Sequence, residues 1–157
     1  MNSVEAKSTF ELVLHQSRQR PGSLEETGSR PLDVNVLCTG MPATVKAIES
    51  AVELARGLHA RLRLLVAQVV PYAVPLETPP VLVEFQEAQF REIVHAHDVE
   101  TRVDIFLCRD AHDVFAQHLP PRSVVVLGAP KHWWRTWEER MAHRLRRSGH
   151  EVVIVYT

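Results

Sequence analysis

A chain of 157 residues, 45% hydrophobic and 24% charged, has the size and balance of one globular domain able to bury about two-thirds of its unfolded surface. Its formal net charge of −1 argues against a surface built throughout for nucleic acid. No apolar run approaches the ~20 residues that cross a bilayer, and Met1 to Lys7 lack the basic-then-apolar pattern of a secretory signal, so a cytoplasmic protein without membrane insertion is expected.

Residues 1–31 read as a polar tail separate from a domain at 32–157, because Pro21-Gly22-Ser23 and Gly28-Ser29-Arg30-Pro31 interrupt any periodicity. Within the tail Ser8-Thr9-Phe10-Glu11 fits a capping box, and Phe10, Val13 and Leu14 would share one face of a short helix. A loosely docked helix and a disordered arm both fit this pattern. From Asp33 the pattern becomes regular: Val34 to Cys38 is a buried strand, followed by Thr39-Gly40-Met41-Pro42, where the proline suits the first turn of a helix. Val45, Ile48, Val52 and Leu58, with Ala51 and Ala55 between, then make a helical stripe that ends at Gly57.

Arg61 to Val70 is the next strand. Pro71, Pro75, Pro79 and Pro80 break the chain before a second helix, with Val81, Phe85, Ala88 and Val94 on or near its buried side. Thr101 to Cys108 reads as a strand and Ala111 to Leu119 as a short helix. Ser123 to Gly128, an Arg-rich helix and Gly149 to Tyr156 then form one βαβ unit. Its first loop, Ala129-Pro130-Lys131-His132-Trp133-Trp134, lies where a doubly wound sheet normally binds phosphate, yet no glycine occurs between Gly128 and Gly149. Five strands alternating with four helices imply an α/β fold: a mainly parallel sheet with right-handed crossovers and helices on both faces.

Side-chain chemistry outside that loop reads plainly. Cys38 and Cys108 each end a strand, without CxxC spacing, and fit small buried residues in a reducing compartment. Of the nine histidines, His95 with His97 and His112 with His118 are the nearest pairs; neither has a third ligand at zinc spacing, so surface histidines and no metal are expected. Asp110, His112 and Asp113 lack a nucleophile, since Ser123 begins a strand without an elbow motif. No catalytic residue is assigned and an enzyme is not expected.

Charge is unevenly spread. Glu77, Glu84, Glu87, Glu92, Asp98, Glu100 and Asp104 face only Arg91 and Arg102 in their stretch, while Lys131, Arg135, Arg140, Arg144, Arg146 and Arg147 face only Glu138 and Glu139. Arg140, Arg144 and Arg147 fall at i, i+4 and i+7 on one helical face, with Trp133, Trp134 and Trp137 before it. They read either as a platform for a phosphate-bearing ligand or single-stranded nucleic acid, or as the solvated face of a helix that buries Trp137, Met141 and Leu145. The second is preferred, so a nucleic-acid partner is not expected. Two adjacent indoles cannot both enter one core, which leaves Trp133 or Trp134 for a partner, the tail or a ligand.

The order from Asp33 to Thr157 resembles the universal stress protein family. The resemblance rests on Val36-Leu37-Cys38-Thr39-Gly40 before Ala47 to Ala55, and on Val124-Val125-Val126-Leu127-Gly128, a helix and a valine-rich last strand. The Trp- and Arg-rich ending is also similar to stress-protein-like domains of potassium-sensing histidine kinases and of some transporters. The resemblance implies a strand order 3-2-1-4-5 for the five predicted strands. It further implies a nucleotide cleft around Cys38, Thr39, Gly40, Val69, Gly128, Pro130 and Lys131. Nucleotide binders of the family carry an Asp after the first strand, a Gly-x-x-Gly after the fourth and a Gly-Ser or Gly-Thr opening the last helix. Here Cys38 or Thr39, Lys131 and Glu138-Glu139 stand in those places. Their side chains would obstruct backbone donors from a phosphate, so no cofactor is expected and ATP or AMP is disfavoured. The alternative is an adenine-nucleotide or cyclic-dinucleotide sensor in which Lys131 and His132 replace the missing donors. The family also implies a homodimer through the last strand, Val152, Val153, Ile154, Val155 and Tyr156, whose bare edge would otherwise be a hazard. The expected function is a regulatory module acting through an unidentified protein partner.

Overall fold

In the computed structural model, which describes residues 10–16, 32–78 and 80–157, strands and helices alternate after a first strand. They are β1 (Phe10–Gln16), β2 (Asp33–Cys38), α1 (Met41–Leu58), β3 (Arg61–Val69), α2 (Val83–His95), β4 (Thr101–Cys108), α3 (Ala111–His118), β5 (Val124–Ala129), α4 (Trp137–Arg147) and β6 (Glu151–Tyr156). The six strands form one sheet in the order β1-β4-β3-β2-β5-β6, and every pairing is parallel. From β4 to β6 this is the order that the family resemblance implies, so the fold is α/β and universal-stress-protein-like, with one strand added beyond the five expected.

Alternation along the central strands builds a core on each face. Val34, Val36, Leu62, Leu64, Val103, Ile105 and Val126 meet the small-residue stripe of α1 (Ala47, Ile48, Ala51, Val52, Ala55) and Phe90 and Val94 of α2. On the opposite face Leu37, Leu65, Phe106, Val125 and Leu127 meet Val114 and Phe115 of α3 and Met141, Ala142 and Leu145 of α4. Strands buried on both sides must be nearly all apolar, which is why β2 and β5 read as continuous runs. Alanines in α1 let it sit close to the sheet, and Gly128 completes the fit. A Cβ built at Gly128 would stand 2.1 Å from the carbonyl oxygen of Ala43 in the first turn of α1. Cys38 and Cys108 are buried as expected. Burial raises both thiols above their usual range, Cys108 to about 11 with help from the Asp110 and Asp113 carboxylates.

Three sequence expectations need correction. Phe10, Val13 and Leu14 lie on a strand and not on a helix. β1 pairs in parallel with β4 from Phe10↔Thr101 to Gln16↔Leu107, which takes the domain past the boundary at residue 32. The period is two: Phe10 and Leu12 face the α1–α2 core, while His15 turns to the other face and stacks on Phe106 at 4.5 Å. The sheet edge supplies ladder bonds that an isolated seven-residue helix would lack. Ser8, Thr9 and the turn residues from Pro21 to Pro31 lie outside the described residues. In α2 the buried phase is Phe90 and Val94, whereas Val81 and Phe85 are exposed and Ala88 is too. The helix starts at Val83, so its stripe runs through different positions. Finally, α1 passes through Gly57 and ends at Leu58, which is exposed and not on the buried stripe; the left-handed φ of 52° at its cap, His59, lets Ala60 N–H reach the Ala55 carbonyl at 2.8 Å.

β1 is held by charge as well as by its ladder. Asp104 of β4 is 0% exposed. Its carboxylate accepts from His15 Nε2 at 2.7 Å, Arg63 Nε at 2.7 Å and the Arg102 guanidinium at 3.0 Å. Arg63 also donates to the His118 carbonyl at 3.1 Å. The eight-residue α3 is too short to cover this part of the sheet, and the polar cluster occupies the uncovered area. Burial alone would push the Asp104 carboxyl up, but the bonds from His15, Arg102 and Arg63 outweigh it and hold the group well below the usual carboxylate range.

Two outcomes follow for stability. Asp104→Asn should lose about 2–3 kcal/mol at neutral pH, because the Arg63 and Arg102 guanidiniums and the His15 ring lose their shared charged acceptor. A depressed folded pKa means that this stabilisation is complete above the unfolded value of about 4 and disappears as pH falls below it. Urea midpoints for wild type and variant should therefore converge on acidification, and parallel pH curves would refute the role given to Asp104. Gly128→Ala should cost about 3 kcal/mol by forcing α1 off β5. Gly40→Ala, where no atom lies within 4 Å of the added Cβ, should cost about 1 kcal/mol or less. Equal midpoint shifts for the two would remove the argument from close approach.

Candidate functional site

In a parallel sheet wound in both directions, the crevice lies at the carboxyl ends of the strands where the winding reverses. Here β2 is followed by β3 and β4 on one side, while β5 and β6 lie on the other, so the switch point falls between β2 and β5. The structure brings Cys38, Thr39 and Gly40 together with Gly128, Pro130 and Lys131 at this end. Val69 is set apart: Cys38 is in register with Val66, and Val69 pairs with Cys108 of β4. The chain thus continues three residues beyond the cleft before Val69, which is exposed.

The cleft is spanned by hydrogen bonds. The Thr39 hydroxyl donates to the Gly128 carbonyl at 3.4 Å, and Thr39 N–H donates to the buried Thr44 hydroxyl at 3.2 Å. Beyond Gly128 the loop is tied to the last strand, since Thr157 N–H donates to the Ala129 carbonyl at 3.0 Å and Lys131 N–H to the Thr157 carbonyl at 3.1 Å. The backbone donor that follows Pro130 is therefore already bonded. Asp110 is used structurally, for its carboxylate caps α3 by accepting from His112 N–H at 2.8 Å. The Ser123 hydroxyl donates to the Pro120 carbonyl.

Around the same end of the sheet, large apolar side chains face solvent. Trp133 is 87% exposed, Trp134 70% and Tyr72 88%. The two adjacent indoles pack edge to face, with centroids 4.9 Å apart, so neither enters the core. Trp137 turns inward, against His112 at 4.9 Å and Phe115 at 6.4 Å. Arg109, to which the sequence pattern gives no prominence, organises the proline loop. It donates to the Val70 and Val74 carbonyls at 2.8 and 3.0 Å and to that of Pro71, and it lies 5.1 Å over the Tyr72 ring.

α4 begins with Thr136 accepting from Glu139 N–H at 3.3 Å, has Glu138 and Glu139 in its first turn, and carries Arg144, Arg146 and Arg147 in its last. That arrangement suits the helix dipole. Met141 and Leu145 are buried, and Arg140, Arg144 and Arg147 lie on the outer side as the spacing predicts. Arg135, His143 and Ser148 join them in lining a basin of about 380 Å³. Helical spacing does not reveal Arg135 as part of this group, because it precedes the helix and has no place in its periodicity. Val152 is buried on the sheet, while Val153 and Tyr156 are exposed along β6, which pairs only with β5 among the described residues. No group of three or more His, Cys, Asp or Glu is arranged to hold a metal among those residues.

Neither a family model nor a curated protein matches the chain. Solved structures do. A macrolide-efflux protein from Streptococcus pneumoniae superposes with a TM-score of 0.50 and 13% identity over 94% of this chain, which spans 58% of that protein. A universal stress protein family member from Burkholderia pseudomallei has a TM-score of 0.46 and 19% identity over 82% of this chain and 98% of its own. A universal stress protein in complex with cAMP has the same score and identity, over 82% of this chain and 99% of its own. At these identities the similarity is one of fold alone.

Proposed function

We propose that this chain is a non-enzymatic regulatory module that works by binding partners, dimeric through β6, on a universal-stress-protein-like fold whose nucleotide cleft is degenerate. The observation that carries this reading is the finish of the carboxyl end of the sheet. Where a nucleotide-binding α/β protein keeps a crevice with free backbone donors, this chain closes β2 onto β5 through Thr39 and Gly128 and uses the Lys131 N–H on Thr157. Its exposed rim carries Tyr72, Trp133 and Trp134 instead. Burying large aromatic rings is the main source of energy in protein recognition. A parallel edge at β6 that pairs on one side only among the described residues, with Val153 and Tyr156 exposed, supports pairing with a second copy.

The second reading, an adenine-nucleotide or cyclic-dinucleotide sensor, draws on the start of α1. Gly40 caps it without a side-chain bond, no acidic residue occupies the first turn, and the space beside Gly40 is open. The first reading is preferred because the opposite wall of that cleft is bonded to β6.

Calorimetric titration with ATP, AMP and a cyclic dinucleotide, together with mass in solution, separates the two. No saturable heat at millimolar ligand and a mass twice the 17.8 kDa chain are expected. Val153→Lys should return the mass to one chain while leaving stability within about 1 kcal/mol, because it places a charge on an exposed edge position. Saturable nucleotide binding that Lys131→Ala abolishes would establish the sensor instead, and a monomeric wild type would remove the β6 interface.

A further inference from the structure

We infer that the outer face of α4 binds a single-stranded polynucleotide, with phosphates along the arginine basin and bases against the Trp133–Trp134 pair. This goes beyond the dimeric module above, shares with it the exposed Trp133–Trp134 pair and makes no use of β6.

The first observation is uncompensated charge. Arg135, Arg140, Arg144 and Arg147 line one basin with His143 and Ser148. Among the described residues none of these guanidiniums has a carboxylate within 4.0 Å. Elsewhere among the described residues most of the arginines have such a partner: Arg56, Arg61, Arg63, Arg91 and Arg102 are all paired. The helix dipole accounts for Arg144 and Arg147 in the last turn but not for the rest. Arg140 is mid-helix, and Arg135 stands before the amino end, where a cation is disfavoured. Arg146 has a different role, donating to the Val152 carbonyl at 2.8 Å. The repulsion within the row is therefore unrelieved inside the described chain, and an anion relieves it.

Geometry selects the kind of anion. The basin follows α4 from Arg135 to Ser148, and eleven helical residues extend about 16 Å. Residues at i, i+4 and i+7 place Cβ atoms about 5–6 Å apart, comparable to the interval between phosphates of an extended strand. Every strong cation in the basin is an arginine, whose planar fork meets phosphate oxygens in pairs. The indoles immediately before Arg135 distinguish a polynucleotide from an acidic peptide. Both are largely exposed, and edge-to-face packing leaves ring faces free to stack on bases.

The test is fluorescence anisotropy of a labelled oligothymidylate of about twelve nucleotides titrated with the full chain. Inorganic polyphosphate, polyglutamate and vesicles containing anionic lipid serve as competitors. Saturable binding is expected, with a log–log salt slope of about −2 to −3 from three to four phosphate contacts. R140E/R144E should weaken it by at least about tenfold. W133A/W134A should weaken it by about five- to tenfold, keep the salt slope and lose the quenching of tryptophan emission that the oligonucleotide causes. R140Q/R144Q repeats the charge test if the glutamates lower helix content. Unchanged binding in the arginine variants would overturn the proposal. Polyphosphate, polyglutamate or vesicles binding as tightly as the oligonucleotide would also overturn it. A dimer that ignores the oligonucleotide would sink this inference and spare the module reading. A monomer that binds it would do the reverse.

Discussion

The absence of a side chain at Gly128 lets the first turn of α1 rest against β5, and the geometry at the carboxyl end of the sheet depends on that contact. With 2.1 Å from a built Cβ to the Ala43 carbonyl, no other residue fits without moving α1. The helix is thereby fixed over the boundary between β2 and β5, and the loop joining β2 to α1 is short enough for Thr39 to reach the Gly128 carbonyl. In nucleotide-binding proteins of this architecture a glycine near this place lets a backbone approach phosphate. Here the same lack of a side chain serves helix packing. One glycine can support either use, and the residues that follow decide which. Pro130 has no N–H, the Lys131 N–H is bonded, and Trp133 and Trp134 add bulk that a cradle cannot accommodate.

A second fixed point is Asp104, the carboxylate on which β1 depends. A parallel edge strand far from its partner in sequence carries a large loop-closure cost, and ladder bonds at a solvent-exposed edge contribute modestly. His15 reaching a buried carboxylate that Arg63 and Arg102 already neutralise adds a specific attachment and fixes the register. A slip of one residue would turn His15 to the α1–α2 face and Phe10 away from it. β1 thus becomes one edge of the sheet and β6 the other, each paired on one side among the described residues.

Legibility in the sequence follows the range of the interactions. β2 to β5 can be read because their burial on two faces demands nearly continuous apolar runs, and β6 because of its valine-rich run, whereas the strand order, and with it the switch point, comes from the family resemblance. Thr39, Gly40, Gly128, Pro130 and Lys131 fall where that topology puts them. β1 is hidden because seven residues carry too little pattern: Phe10, Val13 and Leu14 suit a helical face as well as Phe10 and Leu12 suit a strand. What settles it, a partner strand some ninety residues away in sequence, leaves no local mark. The phase of α2 is hidden for a related reason, since Val81 and Phe85 are apolar yet exposed while Gln86 faces inward to Gln68. Val69 belongs to the cleft only by analogy, and nothing local signals that β3 outruns β2. The Lys131–Thr157 bond joins two backbone groups and has no side-chain signature at all.

The two surfaces singled out at β6 and α4 are not independent electrostatically. α4 packs against β6, so pairing two copies through β6 would bring two unneutralised arginine rows toward one another across the two-fold axis. At low ionic strength this repulsion opposes the dimer, and within a Debye length of about 10 Å at ordinary salt it is only partly screened. A polyanion lying along both rows reverses the sign: the charge that separates the empty subunits then binds one strand at two places, with the gain in effective concentration that a shared ligand brings. Linkage requires the effect to be mutual, so a ligand that favours the dimer must be held more tightly by the dimer. An arginine-rich face next to a strand paired on one side only among the described residues is thus a physical means by which an anion would control assembly, with no moving part other than the second subunit.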